Sequence, residues 1–456
     1  MADSWTSSSV DAHLDWTPGS GRTQLAHAIR AAIRDGRWRP GSVVPSTRAL
    51  AADLGVARGT VTRVYADLAA EGYLRTSQGA PTRVATAGAA PLSSPDPAYT
   101  PGTTRRWTLL AGRPDVSLFP RDQWLTSTRR VLTNAPHEIF GYGEQRGSLV
   151  LRTMLAAYLG RSRGVLADPA RIVVVAGFTH AITVLGRAFA DLGMTETAFE
   201  DPSIDRFRHF AAVAGQKVVG VPVDDEGLVV DRLSSPAVVV TPAHQAPLGV
   251  TMAPGRRTAL ARSGAVIVED DYDGEFRFDR QQVGALQALA PERVVYAGTA
   301  SKTLAPSLRL GWLVLPRFLV DPVIAALEST GVQPPMLDQL ALADLISSGA
   351  FDRHVRRCRL EYRARRDRLA AALPAHLTPR GIPAGLALFV PLSAAAEAAV
   401  PASAARHSLT IEPVSPHAIR TTDPSTGLMI GYAASSKASF GGALAALRGV
   451  LRDVSP

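Results

Sequence analysis

The chain holds only three lysines, Lys217, Lys302 and Lys437, although lysine and arginine together number 49. Chemistry that needs a primary amine therefore has three candidates. Lys302 stands in YAGTASKTLAPSLRLGW, just after the apolar run RVVYA. Thr299 and Ser301 precede it, and Arg309 follows seven positions later. Hydroxyl donors and a guanidinium in that order can hold a dianionic phosphate. Upstream, VIVEDDYDGEF ends a second apolar run in acids. Asp270 and Tyr272 there can deliver a carboxylate and a phenol to a site outside the C-terminal edge of a sheet. The segment AGFTHA at 176–181 reads as a strand-to-helix turn. Its N–H groups at Gly177, Phe178 and Thr179 can bind phosphate at a helix N-terminus. Lys217 and Lys437 have no such company and read as surface residues.

An amine, an acid, a phenol and a phosphate cradle are what pyridoxal 5′-phosphate demands of a protein. On that reading Lys302 forms a Schiff base with the cofactor. Asp270 faces the pyridine nitrogen and keeps it protonated. Tyr272 hydrogen-bonds the phenolic oxygen. Thr299, Ser301, Arg309 and the turn Gly177, Phe178 and Thr179 surround the rest of the cofactor.

The elements that must position these residues follow from the apolar pattern. The runs at 171–176 (RIVVVA), 236–241 (PAVVVT), 265–269 (AVIVE) and 293–297 (RVVYA) are continuous rather than alternating. Strands buried on both faces of a parallel sheet read this way. Helical segments such as 180–192 lie between them, which completes an α/β pattern. A length of 456 residues suggests more than one domain, and 46% hydrophobic with 20% charged residues supports large cores. No apolar run approaches the roughly 18 residues of a membrane helix. Residues 1–15 are polar and acidic and lack a signal pattern, so a cytoplasmic protein is expected. Cys358 is the only cysteine, which excludes an internal disulfide and a multi-cysteine metal site and suggests a packed small hydrophobe. The net charge of +9 is compatible with a polyanionic partner.

Residues 20–85 have a different texture. Leu25, Ala28, Ile29, Ala32 and Ile33 share one helical face. Pro40, Gly41 and Pro45 then force a turn, Ser46 suits an N-cap, and a short helix runs to Leu54. After Gly55 a second helix is expected over 57–71, with Val61, Val64, Tyr65 and Leu68 inward and Gly72 as its C-cap. Two helices about a glycine turn make a helix-turn-helix. The exposed start of the second helix carries Arg58, Thr60, Thr62 and Arg63, where base edges and phosphates are met in a major groove. A hairpin wing centred on Gly79 follows. Residues 86–106 are poor in charge and rich in Pro, Ala, Ser and Thr and read as a linker.

The pieces RPGSVVPSTRALAADLGVARGTVTRVYADLAAEGYL resemble the GntR-type winged helix in order and spacing. That resemblance puts Arg48, Arg58, Thr60 and Thr62 at DNA and Gly79 at the wing tip. Gly59 and Pro81 depart from it, the first softening the recognition helix and the second replacing a wing glycine. From residue 107 to 456 the chain resembles fold-type I aminotransferases with a smaller C-terminal α+β subdomain. The motifs that carry this are PDVSLFPRDQW at 114–124, YGEQRGSLVLR at 142–152, TPAHQAPLGVTM at 241–252, EDDYDGEF and the lysine segment. Both halves together resemble the MocR family of transcription regulators. The same resemblance covers 338–369, with eight arginines between 353 and 368. A basic helix can bind DNA. Its place inside the aminotransferase-like part favours a solvated or inter-subunit face.

Three positions depart from a working aminotransferase. Ile204 stands where a tyrosine packs at the cofactor, Leu248 where Thr or Ser is usual, and Met429 where an arginine binds the substrate α-carboxylate. Losing that guanidinium removes a charge-assisted pair. Arg206 is the remaining candidate for effector binding. The resemblance then implies a homodimer that binds double-stranded DNA operators at paired half-sites. An amine, an amino acid or pyridoxal phosphate itself acts as effector and shifts a two-state population. The alternative is a catalytically active aminotransferase that carries a DNA-binding domain.

Overall fold

The computed structural model describes residues 14–17, 19–77, 79–85, 105–278, 283–419 and 425–454. The chain divides into two compact units, Met1–Thr104 and Arg105–Pro456. The expected linker at 86–106 lies outside the described residues up to 104.

The first unit contains α1 (Gly21–Arg34), α2 (Thr47–Leu54), α3 (Arg58–Ala70) and the hairpin β1 (Leu74–Ser77) and β2 (Ala80–Val84). Ser46 caps α2, its hydroxyl accepting from the Ala49 N–H at 3.1 Å. Gly55 closes the helix at φ 64°, a left-handed conformation that favours glycine. The C-cap of α3 is Glu71, and Gly72 follows at φ 80°, one residue beyond the cap position expected for it. Leu25, Ile29, Val61, Val64, Tyr65 and Leu68 meet in one core with Trp38. Burying each such side chain stabilises by about 1.5–3 kcal/mol. The Tyr65 hydroxyl ties α3 back to the Pro45 carbonyl at 2.9 Å.

The second unit opens with β3 (Trp107–Thr108), α4 (Arg121–Asn134) and α5 (Leu149–Arg163). Strands and helices then alternate through β4 (Ile172–Val175), α6 (Phe178–Asp191), β5 (Glu196–Asp201), α7 (Asp205–Val213), β6 (Lys217–Asp224), β7 (Gly227–Leu228) and β8 (Ala237–Val240). They continue through α8 (Pro254–Ala261), β9 (Val266–Asp270), β10 (Val294–Thr299) and β11 (Gly311–Val314). Three helices follow: α9 (Val320–Thr330), α10 (Met336–Ser347) and α11 (Ala350–Ala370). The C-terminal subdomain adds β12 (Ala387–Pro391), α12 (Ala394–Arg406), β13 (Leu409–Thr410), β14 (Glu412–Pro413), β15 (Gly427–Gly431) and α13 (Phe440–Val454).

The central sheet has eight strands in the order β4-β11-β10-β9-β8-β5-β6-β7. Strands β10, β9, β8, β5 and β6 are parallel neighbours. The sheet is mixed rather than wholly parallel. The reversed strand is β11, which pairs antiparallel with both β10 and β4, so β4 at the edge keeps the direction of the parallel strands, as expected. Helices cover both faces of β4, and its alternate residues enter two different cores. Val173 and Val175 face one core with α6 and α9, while Ile172 and Val174 face the other with α5 and α10. A three-stranded antiparallel sheet, β12-β15-β14, forms the smaller subdomain, and α11 reaches its core through Cys358, Tyr362 and Leu369.

One buried ion pair ties α11 to the entry of this unit. Arg365 Nη2 donates to Asp115 Oδ2 at 2.7 Å, with side-chain exposures of 1% and 2%. Arg365 Nη1 also reaches the Ser435 carbonyl. Arg365→Ala should leave Asp115 buried and unpaired, at a cost of about 3–5 kcal/mol. Denaturant unfolding of the variant beside the unmodified protein measures this, and a loss under about 1 kcal/mol contradicts it.

Candidate cofactor site and DNA-binding surface

The parallel register of β9 on β10 sets Asp270 beside Ala297, two residues before the end of β10 at Thr299. Lys302 follows in the turn after β10. Its Nζ donates to the Gly112 carbonyl at 2.6 Å. Burial lowers the ammonium's pKa, and the guanidinium groups of Arg113 and Arg206 add to this against the pull of Asp270 and Asp273. A neutral amine is the nucleophilic form. Asp270 is 5% exposed, and its carboxylate accepts no hydrogen bond among the described residues. Burial holds its pKa well above the usual carboxylate range, and Lys302 opposes that rise. A buried carboxylate without a donor is costly. It fits a site that receives a cationic N–H from a ligand.

The remaining acids of EDDYDGEF divide between structural roles. Glu269 accepts from the Leu286 and Gln287 N–H groups, and Asp271 pairs with Arg163 at 2.6 Å. Asp270 alone among these three adjacent acids is left for the site.

Two further elements come together in an arrangement suited to an anion. Gly177 precedes α6 at φ 85°, and no side chain caps that helix. The first N–H groups of the helix are therefore available to an anion. The Arg309 guanidinium lies against the same glycine, and a Cβ on Gly177 would stand 3.6 Å from Nη1. Arg309 itself has φ 52°, an uncommon conformation for a non-glycine residue. The Thr299 hydroxyl accepts from the Ser301 N–H at 3.1 Å and so shapes the turn. Thr179 lies in the first turn of the same helix, and Phe178, its first residue, packs edge-on against Phe207 at 4.8 Å. Thus Lys302 and Asp270 lie within electrostatic reach of each other, and Arg309 meets Gly177.

Tyr272 lies near this pair. Its hydroxyl is 3.2 Å from both His244 Nδ1 and the His244 carbonyl. Burial and the carboxylates of Asp273 and Asp270 push its pKa well up, so the phenol keeps its proton and can donate. Glu200, at the end of β5, accepts from the Thr241 N–H and hydroxyl. Burial raises its pKa to about 7.

The three departures from the aminotransferase pattern converge. Leu248 and Met429 pack with Phe389 and Val414 in one apolar cluster, and Ile204 and Ala111 lie against it. Arg206 is exposed on α7, with its guanidinium 5.9 Å from the Phe210 ring. Sequence reasoning overlooked Gly112, Arg113, His244 and Asp273. His244 and Asp273 stood inside motifs already singled out, but nothing local linked them. Gly112 lies 190 residues from Lys302.

In the N-terminal unit Arg48, Arg58, Thr62, Arg63 and Gly79 are exposed and Thr60 is half-buried. Among the described residues none of the three arginines forms an ion pair. Thr62 Oγ1 donates to the Arg58 carbonyl at 3.0 Å. The eight arginines of α11 split: Arg365 is buried, Arg366 is half-buried, and Arg353, Arg356, Arg357, Arg359, Arg363 and Arg368 are exposed.

The comparisons with known proteins agree with this division. Residues 22–84 match the gntR family of bacterial regulatory proteins, and residues 112–439 match aminotransferase class I and II. A Rhizobium meliloti protein described as a probable rhizopine catabolism regulatory protein, MocR, is 36% identical over 78% of this chain and 77% of its own. This chain belongs to the MocR family of transcription regulators. A second relative, the uncharacterized HTH-type transcriptional regulator YdeL of Bacillus subtilis, is 32% identical over 94% of this chain and 97% of its own. The Corynebacterium glutamicum pyridoxine biosynthesis transcriptional regulator PdxR is 34% identical over 76% and 78%. An archaeal alanine:glyoxylate aminotransferase structure shares the fold of the larger unit. It has a TM-score of 0.69 at 24% identity and covers 76% of this chain and 90% of that one. The aminotransferase fold of this MocR-type chain is that of a pyridoxal phosphate-dependent family. No helix among the described residues is long and apolar enough to cross a membrane.

The raised pKa of Glu200 makes a stability prediction. Its proton is held in the folded state up to about pH 7 but is lost near 4.5 when the chain unfolds. The stability this contributes is complete below the lower value and lost as pH rises through the upper one. Stability of the unmodified protein relative to Glu200→Gln should therefore fall by about 1–3 kcal/mol between pH 5 and 7.5. Denaturant melts at both pH values read it, and a constant difference contradicts it.

Proposed function

We propose that this MocR-type regulator binds pyridoxal 5′-phosphate on Lys302 and double-stranded operator DNA through its winged helix. We assign residues 20–85 to that DNA-binding domain, 86–106 to the linker and 107–456 to the effector domain. The observation that carries the cofactor reading is the desolvated amine of Lys302 within electrostatic reach of a buried carboxylate, Asp270, that accepts no hydrogen bond among the described residues. Asp270 would receive the ring N–H, and Tyr272 would donate to the phenolic oxygen. Thr299, Ser301, Arg309 and the Gly177–Phe178–Thr179 turn would surround the phosphate. When bound, the group supplies an aldehyde for amines and an electron-withdrawing ring.

The effector is an amine, an amino acid or pyridoxal phosphate itself, with Arg206 at the mouth of the site. The similarity to the pyridoxine biosynthesis transcriptional regulator of Corynebacterium glutamicum supports the last of these. A regulator reading outranks an aminotransferase reading because an apolar cluster occupies the place of the α-carboxylate arginine. Sustained keto-acid production beyond one equivalent on mixing with amino acids would reverse that ranking.

We infer a homodimer as well. Leu125, Leu132, Phe140, Tyr142, Leu149 and Val150 are all at least 49% exposed within one stretch of the larger unit. Apolar side chains of that size in such number mark an association surface. We further infer that the protein acts in the cytoplasm, where it would meet DNA.

Operator binding tests the DNA assignment. The probe is the intergenic duplex flanking the protein's own gene. Arg58→Ala and Arg63→Ala should each weaken binding by roughly tenfold or more and flatten the salt dependence by about one unit of slope. Pyridoxal phosphate should change the affinity of the unmodified protein and leave Lys302→Ala unaffected. Equal responses in both proteins would contradict the coupling.

A further inference from the structure

Beside the cofactor-facing groups lies a buried pair that none of the preceding roles uses. His244 Nδ1 is 2.8 Å from Asp273 Oδ2, and the two residues are 6% and 3% exposed. One ring nitrogen has one hydrogen to give. At 2.8 Å the carboxylate is its natural acceptor. The Tyr272 hydroxyl, 3.2 Å from the same nitrogen, then donates to the His244 carbonyl at 3.2 Å. The phenol's single hydrogen can instead go to an acceptor in the site, but not to both.

On its other side the pair meets the C-terminal subdomain. Gly385, at φ 75°, approaches so closely that a Cβ there would overlap Asp273 Oδ2 and the His244 ring. Gly385 N donates to the Phe276 carbonyl at 2.8 Å, and Ile382 N donates to the Gly249 carbonyl at 3.2 Å. Gly381 packs directly on the Gly249 backbone. The Tyr432 hydroxyl, just after β15, lies 2.9 and 2.7 Å from the carbonyls of Ala384 and Gly385 and donates its one hydrogen between them. Residues 381–385 thus form a strap held between the His244–Asp273 pair and the strand that carries Met429.

We propose that His244 and Asp273 are positioning residues that orient Tyr272 towards the cofactor's phenolic oxygen and report its engagement to the 381–385 strap. When Tyr272 turns its hydrogen into the site, the His244 carbonyl loses a donor. The ring, held at Nδ1 by Asp273, is the rigid part through which the change reaches Gly385. The strap in turn contacts the subdomain that closes over the site's apolar wall. This inference rests on the cofactor reading above and extends it from the site to a named mechanical contact.

Amide hydrogen exchange of the full chain, read by mass spectrometry over 381–385 with and without pyridoxal phosphate, tests it. Exchange reports local opening directly. The unmodified protein should exchange at least about fivefold more slowly there once the cofactor is added. Asp273→Asn and His244→Gln should still show a visible cofactor band and lose most of that slowing. Either variant suffices if the other fails to fold. Equal slowing in the variants overturns the proposal, as does a band in the unmodified protein without any slowing. An unmodified protein that forms no band at all overturns the cofactor reading first, and this proposal with it.

Discussion

The larger unit is organised around a carboxylate that its own fold leaves unsatisfied. Asp270 is buried at the end of β9 and receives no hydrogen bond among the described residues. Desolvating such a group is expensive. Lys302 offsets part of that cost by charge alone, and the ammonium is itself pushed towards neutrality by burial. The arrangement persists because everything around it is held more firmly. The parallel ladder fixes Asp270 against β10, Arg163 and Tyr296 immobilise the neighbouring Asp271, and the Arg365–Asp115 pair steadies the turn that carries Gly112. A polar pair with spare capacity inside a satisfied frame is how a protein prepares a site for a charged ligand.

How much of this was legible in the sequence varies with range. Local patterns were readable. Ser46 and Gly55 announce the ends of α2, and the buried face of α1 follows from spacing alone. The strands at 237–240, 266–270 and 294–299 follow from continuous β-branched runs. The antiparallel neighbour of β4 was not readable, because burial on both faces produces the same composition whichever way the next strand runs. In the site, Lys302 and its near neighbours stood out by type and spacing. Arg113 and Gly112 did not, since their approach to the lysine depends on a contact across 190 residues. His244 and Asp273 were visible as residues but not as a pair, because the fold joins two loops that the sequence separates by 29 positions.

The apolar cluster shows how individual departures gain meaning in three dimensions. Ile204, Leu248 and Met429 come from three distant segments, and each could be read alone as drift from a family pattern. They pack around Phe389 and Val414 in a single wall. A site walled this way favours recognition over repeated turnover of amino acids. The strap at 381–385 links the subdomain that carries part of that wall to the His244–Asp273 pair beside Tyr272, the kind of contact a ligand-responsive regulator needs if ligand is to shift a conformational population.

The proposed chemistry of the site turns on one amine, that of Lys302. Borohydride reduction of the full-length protein after incubation with pyridoxal phosphate, followed by peptide mapping, tests it most directly. A single stable adduct on Lys302, absent from Lys302→Ala, is the predicted result. An adduct on Lys217 or Lys437 with none on Lys302, or an equally strong visible band in Lys302→Ala, would contradict the central claim.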